Sequence, residues 1–193
     1  MNGAKAVRTV PMTEAAHGAC VVCTVLRHHQ TRLVEASGVP KASHLCNHHA
    51  WLLARSAPAV VAAEIYTQVL DARRKQGVRL TGVCAFCADL RQEEAVRLSE
   101  LVEQVKMPSF AAWMRRSGTL CLWHAHQLSL RLPTKERNLV EEVLARTIEE
   151  LDVDLRKCAV QARQGQHAGS GVLGRVAEFL VCQRGIPGEE TPC

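Results

Sequence analysis

Aromatic residues are scarce in this 193-residue chain, at 4% of the total, with 3 Trp, 3 Phe and 1 Tyr. Such a core falls to Leu, Val and Ala, which disfavours an aromatic-rich β-sandwich and suits packed helices. Long apolar runs are absent too. No stretch reaches the roughly 18 uninterrupted apolar residues that mark a membrane-spanning helix. Met1 to Ala16 carries Lys5 and Arg8 but no apolar run of signal-peptide type. The expectation is therefore a cytoplasmic protein with no membrane partner. Charge of one sign is not pronounced either: the formal net charge is +5, and thiolate-rich metal centres would lower it further. Nucleic-acid binders usually concentrate Lys and Arg more heavily. Finally, there is no HExxH, no phosphate-cradling glycine loop and no nucleophile elbow, which puts a zinc hydrolase last among the candidate functions.

Cysteine, by contrast, is abundant. Nine cysteines in a reducing compartment are better explained by metal or redox chemistry than by structural disulfides, and the odd number points the same way.

Six of them belong to an internal repeat. Gly18-Ala-Cys20-Val-Val-Cys23-Thr-Val-Leu26-Arg27 aligns with Gly82-Val-Cys84-Ala-Phe-Cys87-Ala-Asp-Leu90-Arg91. Downstream, Leu45-Cys46-Asn-His-His49-Ala50-Trp-Leu-Leu53 aligns with Leu120-Cys121-Leu-Trp-His124-Ala125-His-Gln-Leu128. Between the second and third cysteines the first copy has 22 residues and the second 33. Eleven extra residues make close to three helical turns, so an inserted helix would stay in phase; an insertion shared between loop and helix gives the same count.

The chain reads as all-α: two repeated CxxC/CxxH metal-stapled helical units and a long C-terminal helix. Helices are expected over Thr24 to Glu35 and Ala88 to Lys106, the latter with Leu90, Leu98, Leu101, Val102 and Val105 on one side. Ser37-Gly38-Val-Pro40 and Met107-Pro108-Ser109 break them. Further helices should start at each CxxH and run to about Arg55 and about Leu132. After Ser56-Ala-Pro58, a connecting helix should present Val61, Ile65, Val69 and Leu70 and end at Gly77. The longest helix is predicted over Thr134 to Ala162, with the stripe Leu139, Val143, Thr147, Leu151, Leu155, Cys158, Ala162 and with Val140, Leu144 and Ile148 beside it. Residues 164–171 read as a loop and Val172 to Val181 as a short helix. The corresponding division is a first metal-binding repeat over 14–77, a second over 78–132, a C-terminal helical segment over 133–182 and a flexible tail over 183–193.

The ligand chemistry follows from the spacing. Zn²⁺ accepts thiolate and imidazole in tetrahedral arrangements, and residues three apart at a helix start or tight turn can point two ligands at one place. Gly18 and Gly82 suit the turn entering each CxxC, and a helix N-terminus would help keep thiolates ionised. Read within each copy, the sets are Cys20/Cys23/Cys46/His49 and Cys84/Cys87/Cys121/His124, with two Zn²⁺ per chain; a 4Fe–4S cluster is the alternative for the same ligands. A lone CxxC would more often be read as a pair of small apolar residues, but two CxxC/CxxH sets in matching order outweigh that reading. His48 and His126 flank the ligands and could replace them or orient them, whereas only His49 and His124 match across the copies. His28, His29 and His44 read as surface or supporting residues, and His17 and His167 as incidental. Cys158 reads as a core thiol, Cys182 as ambiguous and Cys193 as exposed. Trp51, Trp113 and Trp123 lie near the ligands and are expected to pack over them.

This order of motifs resembles a bacterial family of unassigned activity whose copies carry CPxC followed by SGxLCxxHA. The likeness spans about Gly18 to Gly185, including Gly174-Arg-Val-Ala-Glu-Phe-Leu. Val21 and Ala85 stand where that family has proline, and Ser37-Gly38 lies farther from Cys46 than Ser117-Gly118 does from Cys121. The resemblance implies a helical metal-binding domain and names no activity.

The leading functional expectation is a non-enzymatic scaffold or adaptor for a protein partner, since closed four-ligand sites leave no coordination position for water. An iron–sulfur redox protein comes second. A nucleic-acid-binding regulator comes third, because Arg73-Arg74-Lys75 with Arg79, and Arg115-Arg116, are short basic clusters of the kind that usually form solvated helix faces.

Overall fold

Helices account for every regular element among the residues that the computed structural model describes, which are 18–35, 44–76, 83–165 and 170–181. They are α1 (Val21–Glu35), α2 (Asn47–Ser56), α3 (Ala59–Gln76), α4 (Ala85–Gln104), α5 (Pro108–Ser117), α6 (Leu122–Ser129), α7 (Thr134–Arg163) and α8 (Ser170–Val181). The all-α expectation holds. Ser37 to Pro40, Gly77, Arg79, Gly82, His17, His167, Cys182, Cys193 and the tail over 183–193 lie outside the described residues.

Proline punctuates the helices in two ways. Pro58 and Pro133 sit just before α3 and α7, where a missing N–H costs nothing, and the Pro58 carbonyl accepts the Ala62 N–H at 3.0 Å. Pro108 ends the run begun by α4 but is also the first residue of α5, a helix the sequence pattern does not announce. The end of α5 is finished from outside: the Arg146 guanidinium on α7 donates to the Arg115 and Gly118 carbonyls, satisfying acceptors that a helix C-terminus leaves open. Gly118 leaves no room for a side chain without a local shift, because a Cβ there would stand 2.8 Å from the Met114 Cα.

The principal packing is α1 against α4. The pair is antiparallel: His29, late in α1, bonds Asp89, early in α4, while the start of α1 lies beside Glu94. Helices α5, α6 and α7 close over the start of α1 and the later part of α4, burying Val21, Val22, Leu98, Leu101, Met114, Leu128, Leu139, Val140 and Val143 in one large cluster. A second, smaller cluster lies at the other end of α1, where Val34, Leu53, Val61, Ile65, Cys84 and Phe86 join α2 and α3 to the start of α4. Along α7 the predicted stripe is buried at Leu139, Val143, Thr147, Leu151 and Cys158, with Val140 beside it. Ile148 faces outward, as does Leu70 on α3. Helix α8 returns onto α6 and α7, held by Arg175 to Asp154 at 2.6 Å and Glu178 to Arg27 at 2.7 Å, with Phe179 buried beneath. No helix among the described residues is long and apolar enough to cross a membrane.

Candidate metal centres

All eight expected ligands stand at helix starts. Cys46, Cys84 and Cys121 are the N-cap residues of α2, α4 and α6, and Cys20 immediately precedes α1. The carbonyls of Cys20, Cys46, Cys84 and Cys121 accept the N–H four residues on, from Thr24, Ala50, Ala88 and Ala125, at 2.9 to 3.0 Å. The second ligand of each pair, Cys23, His49, Cys87 or His124, falls at the third helical position. The cysteine thus occupies the place where Ser or Asp usually caps a helix, and Cys121 Sγ accepts the His124 N–H at 3.5 Å. Each start directs its positive dipole end at the sulfurs. Gly18, with φ of +81°, makes the left-handed turn that delivers the chain to Cys20.

The pairing differs from the within-copy expectation. Cys20 and Cys23 meet Cys121 and His124, while Cys84 and Cys87 meet Cys46 and His49. The sets Cys20/Cys23/Cys46/His49 and Cys84/Cys87/Cys121/His124 are therefore corrected to Cys20/Cys23/Cys121/His124 and Cys46/His49/Cys84/Cys87: each centre takes CxxC from one copy and CxxH from the other. Helix length explains the exchange. Starting beside its own CxxC, α1 runs 15 residues and α4 runs 20. At ~1.5 Å per residue each helix carries the chain roughly 20 to 30 Å away before the next knuckle. Because α1 and α4 are antiparallel, the end of one lies near the start of the other. The proposed boundary between 77 and 78 is consequently bridged by both centres.

The spacing of the donor atoms tests whether an ion fits. Around one tetrahedral Zn²⁺, bond lengths of about 2.3 Å to sulfur and about 2.0 Å to nitrogen place two sulfurs about 3.8 Å apart, and a sulfur and nitrogen about 3.5 Å apart. In the first centre Cys23 Sγ is 3.8 Å from Cys121 Sγ, and His124 Nδ1 is 3.3, 3.4 and 3.2 Å from Cys20, Cys23 and Cys121. In the second, Cys46 Sγ is 3.7 Å from Cys87 Sγ, and His49 Nδ1 is 3.1, 3.5 and 3.4 Å from Cys46, Cys84 and Cys87. Both sets fit a single ion, with each imidazole turned Nδ1 inward.

Proton affinities respond to this crowding. Burial alone would push the Cys20 thiol up, yet contacts with Cys121, Cys23 and His124 hold it well below the ordinary thiol range. Burial likewise opposes a charged His49, but bonding to Cys46 and Cys84 raises it to about 9. Cys84 is lowered by its bonds to Cys46 and Cys87, and Cys87 is raised by its bonds to Cys46 and Cys84. Thiols and an imidazole crowded this closely compete for protons, a competition that a cation relieves.

Outside the ligands, the two centres are held differently. His124 Nε2 meets Glu94 Oε1 at 3.0 Å, and the same oxygen accepts the Trp123 Nε1–H at 3.0 Å. His49 Nε2 faces the Gln30 side-chain amide at 3.2 Å, with His48 Nε2 at 3.5 Å from it and Phe86 stacked on the ring at 5.3 Å. Local spacing does not single out Gln30 or Glu94. Both stand ten residues after the first cysteine of their copy, and both interrupt an apolar stripe: Leu26-Gln30-Val34 and Leu90-Glu94-Leu98. A polar residue in the middle of a buried stripe is the signal that could have found them.

The remaining candidates sort clearly. His126 is exposed and His48 packs edge-on against His49, and neither joins a cluster. His28 is exposed, His29 bonds Asp89, and His44 is buried against Arg73. Trp123 and Trp113 are packed against the large cluster, but Trp51 is 61% exposed and shields nothing, a correction to its expected role. It stands two residues, about 200° around the helix, from both His49 and Leu53, and so faces away from them. Cys158 is a buried core thiol. In the basic clusters, Arg73 serves His44, Arg74 pairs with Asp71 at 3.3 Å and Arg115 with Glu142 at 2.7 Å.

The fold and its centres thus define a helical protein with two four-residue Cys3His clusters that could hold two metal ions. No family model, curated protein or solved structure matches the chain.

Proposed function

We propose that the chain is a zinc protein, one Zn²⁺ at each Cys3His set, acting as a non-enzymatic helical scaffold for a protein partner. The observation that carries this reading is the closed, single-ion spacing of four protein donors in each centre. Catalytic zinc keeps a position for water, which such a set does not offer. The same spacing weighs against the iron–sulfur alternative, because four ligands of a four-iron cluster must spread around the whole cluster rather than converge on one point. Apolar side chains exposed on the last two helices, Val153 and Val160 on α7 and Leu173 and Leu180 on α8, are candidate contacts for a partner protein. The resemblance to the bacterial CPxC…SGxLCxxHA family belongs to this proposal, and a cytoplasmic setting would keep its thiolates reduced.

Protein purified without air should contain two zinc ions per chain by elemental analysis and native mass spectrometry, and Cys20→Ser and Cys84→Ser should each retain one. Iron, sulfide and visible absorbance would overturn the zinc assignment. Proximity labelling in the producing cell tests the scaffold: a neighbour labelled by the wild type and lost in Val153→Glu/Val160→Glu is expected, and an identical labelling pattern would overturn the partner face.

A further inference from the structure

The two centres have the same ligands in the same helical positions, yet differ in every layer around them. Cys20, Cys23, Cys121 and His124 are all buried, inside the larger core. Cys46 and Cys87 are only half-buried, beside the smaller one. The imidazole of the first centre meets a buried carboxylate, Glu94; that of the second meets the neutral amide of Gln30. These two residues occupy the same position relative to CxxC, and His48 and Trp123, each just before the ligand histidine, both reach them. With Nδ1 facing the ion, Nε2 carries the proton and must donate; the Glu94 carboxylate oxygen is placed to accept it, whereas Gln30 presents its amide nitrogen, itself a donor, to His49.

We infer that Glu94 and Gln30 are positioning residues that split the two centres into a permanent zinc, at Cys20/Cys23/Cys121/His124, and an exchangeable zinc, at Cys46/His49/Cys84/Cys87. This rests on the zinc reading above and assigns the second centre a regulatory part. A carboxylate on the distal nitrogen makes the imidazole a stronger donor and fixes its ring, and loss of such a partner typically weakens metal binding by about 10- to 100-fold. An amide does this less, and half-exposed sulfurs give a competing chelator access. Loss of the exchangeable ion would release α2 and α3 from the start of α4, since Cys46 and His49 join them there with only a small apolar cluster beside. Available zinc would thereby control whether this end of the molecule is closed.

The test follows zinc transfer from the full-length two-zinc protein to a chromogenic chelator. Two phases of equal amplitude are expected, the fast one absent in Cys46→Ser and the slow one absent in Cys20→Ser. Gln30→Glu should slow the fast phase by about 10-fold or more, and Glu94→Gln should accelerate the slow phase by about 10- to 100-fold. Opposite directions at equivalent positions separate positioning from general loosening, since a merely destabilising change cannot slow release. If Glu94→Gln does not fold, Gln30→Glu decides alone. A single phase, or a fast phase indifferent to Gln30→Glu, would overturn the inference while leaving two bound zinc ions in place; absence of zinc from the wild type would overturn the reading beneath it.

Discussion

The end of the molecule built on Cys121 and the end built on Cys46 use one ligand set and one helix-start geometry, but they relate differently to the core. At the first, helices α1, α4, α5, α6 and α7 bury a continuous cluster that includes the ligands themselves. At the second, α2 and α3 add few buried side chains of their own. Apolar burial stabilises by roughly 25 cal/mol per Å², so the first end has much to hold it without metal, and the second has little. A metal held by the same four donors would therefore be a reinforcement in one place and a principal link in the other.

The largest expected effect comes from breaking each staple in turn. Cys121→Ser should lower the global thermal midpoint strongly, because it leaves Cys20, Cys23 and His124 buried inside the larger core without the ion that organised them. Cys46→Ser should instead leave the main transition nearly in place while exposing α2 and α3 to proteolysis and fast amide exchange. Equal midpoints and equal exchange patterns in the two variants would break the comparison.

Next come the apolar residues. Leu101 and Leu53 are both fully buried, one in each cluster. Leu101→Ala should cost near the upper end of the roughly 2–5 kcal/mol seen for such truncations, and Leu53→Ala near the lower end, because a thin cluster collapses around a cavity more readily. Denaturant titration at fixed zinc reads both, and the reverse order would count against the unequal cores.

Much of this architecture is legible in the order of the amino acids. The eight ligands follow from local spacing, because CxxC and CxxH each need only the first turn of a helix to bring two donors together. The stripe of α7 follows from periodicity over 30 residues, long enough for the pattern to dominate. The exchange of partners is not legible: which knuckles meet is set by the antiparallel packing of α1 on α4, a contact between residues such as His29 and Asp89 that no local spacing records. Helix α5 is hidden for a related reason, since Pro108 signals a stop and a start with equal force. Gln30 and Glu94 are visible as interruptions of apolar stripes, but their purpose appears only when the opposite copy's histidine arrives beside each.

A smaller effect is expected at Gly118. A methyl group there meets the Met114 backbone at 2.8 Å, at the turn that leads into Cys121. Gly118→Ala should cost about 1–3 kcal/mol, the range for overpacking, and it should do so with both zinc ions still bound, since Cys121 and His124 are placed by the start of α6 rather than by the end of α5. Loss of one zinc ion on mass spectrometry would show instead that the turn positions the ligand.

The finest probe lies at the thinner end. Tyr66 on α3 donates its hydroxyl to the Ala50 carbonyl on α2 at 2.7 Å, one residue beyond His49. Removing that oxygen in Tyr66→Phe keeps the ring and takes away about 0.5–1.5 kcal/mol, the net value of a single protein hydrogen bond. If α2 and α3 are held mainly by metal and this small cluster, the loss should appear as faster amide exchange in those two helices, with α6 and α7 unchanged. A uniform rise across all helices would mean that the two ends unfold together, and that the inequality between them is one of burial alone.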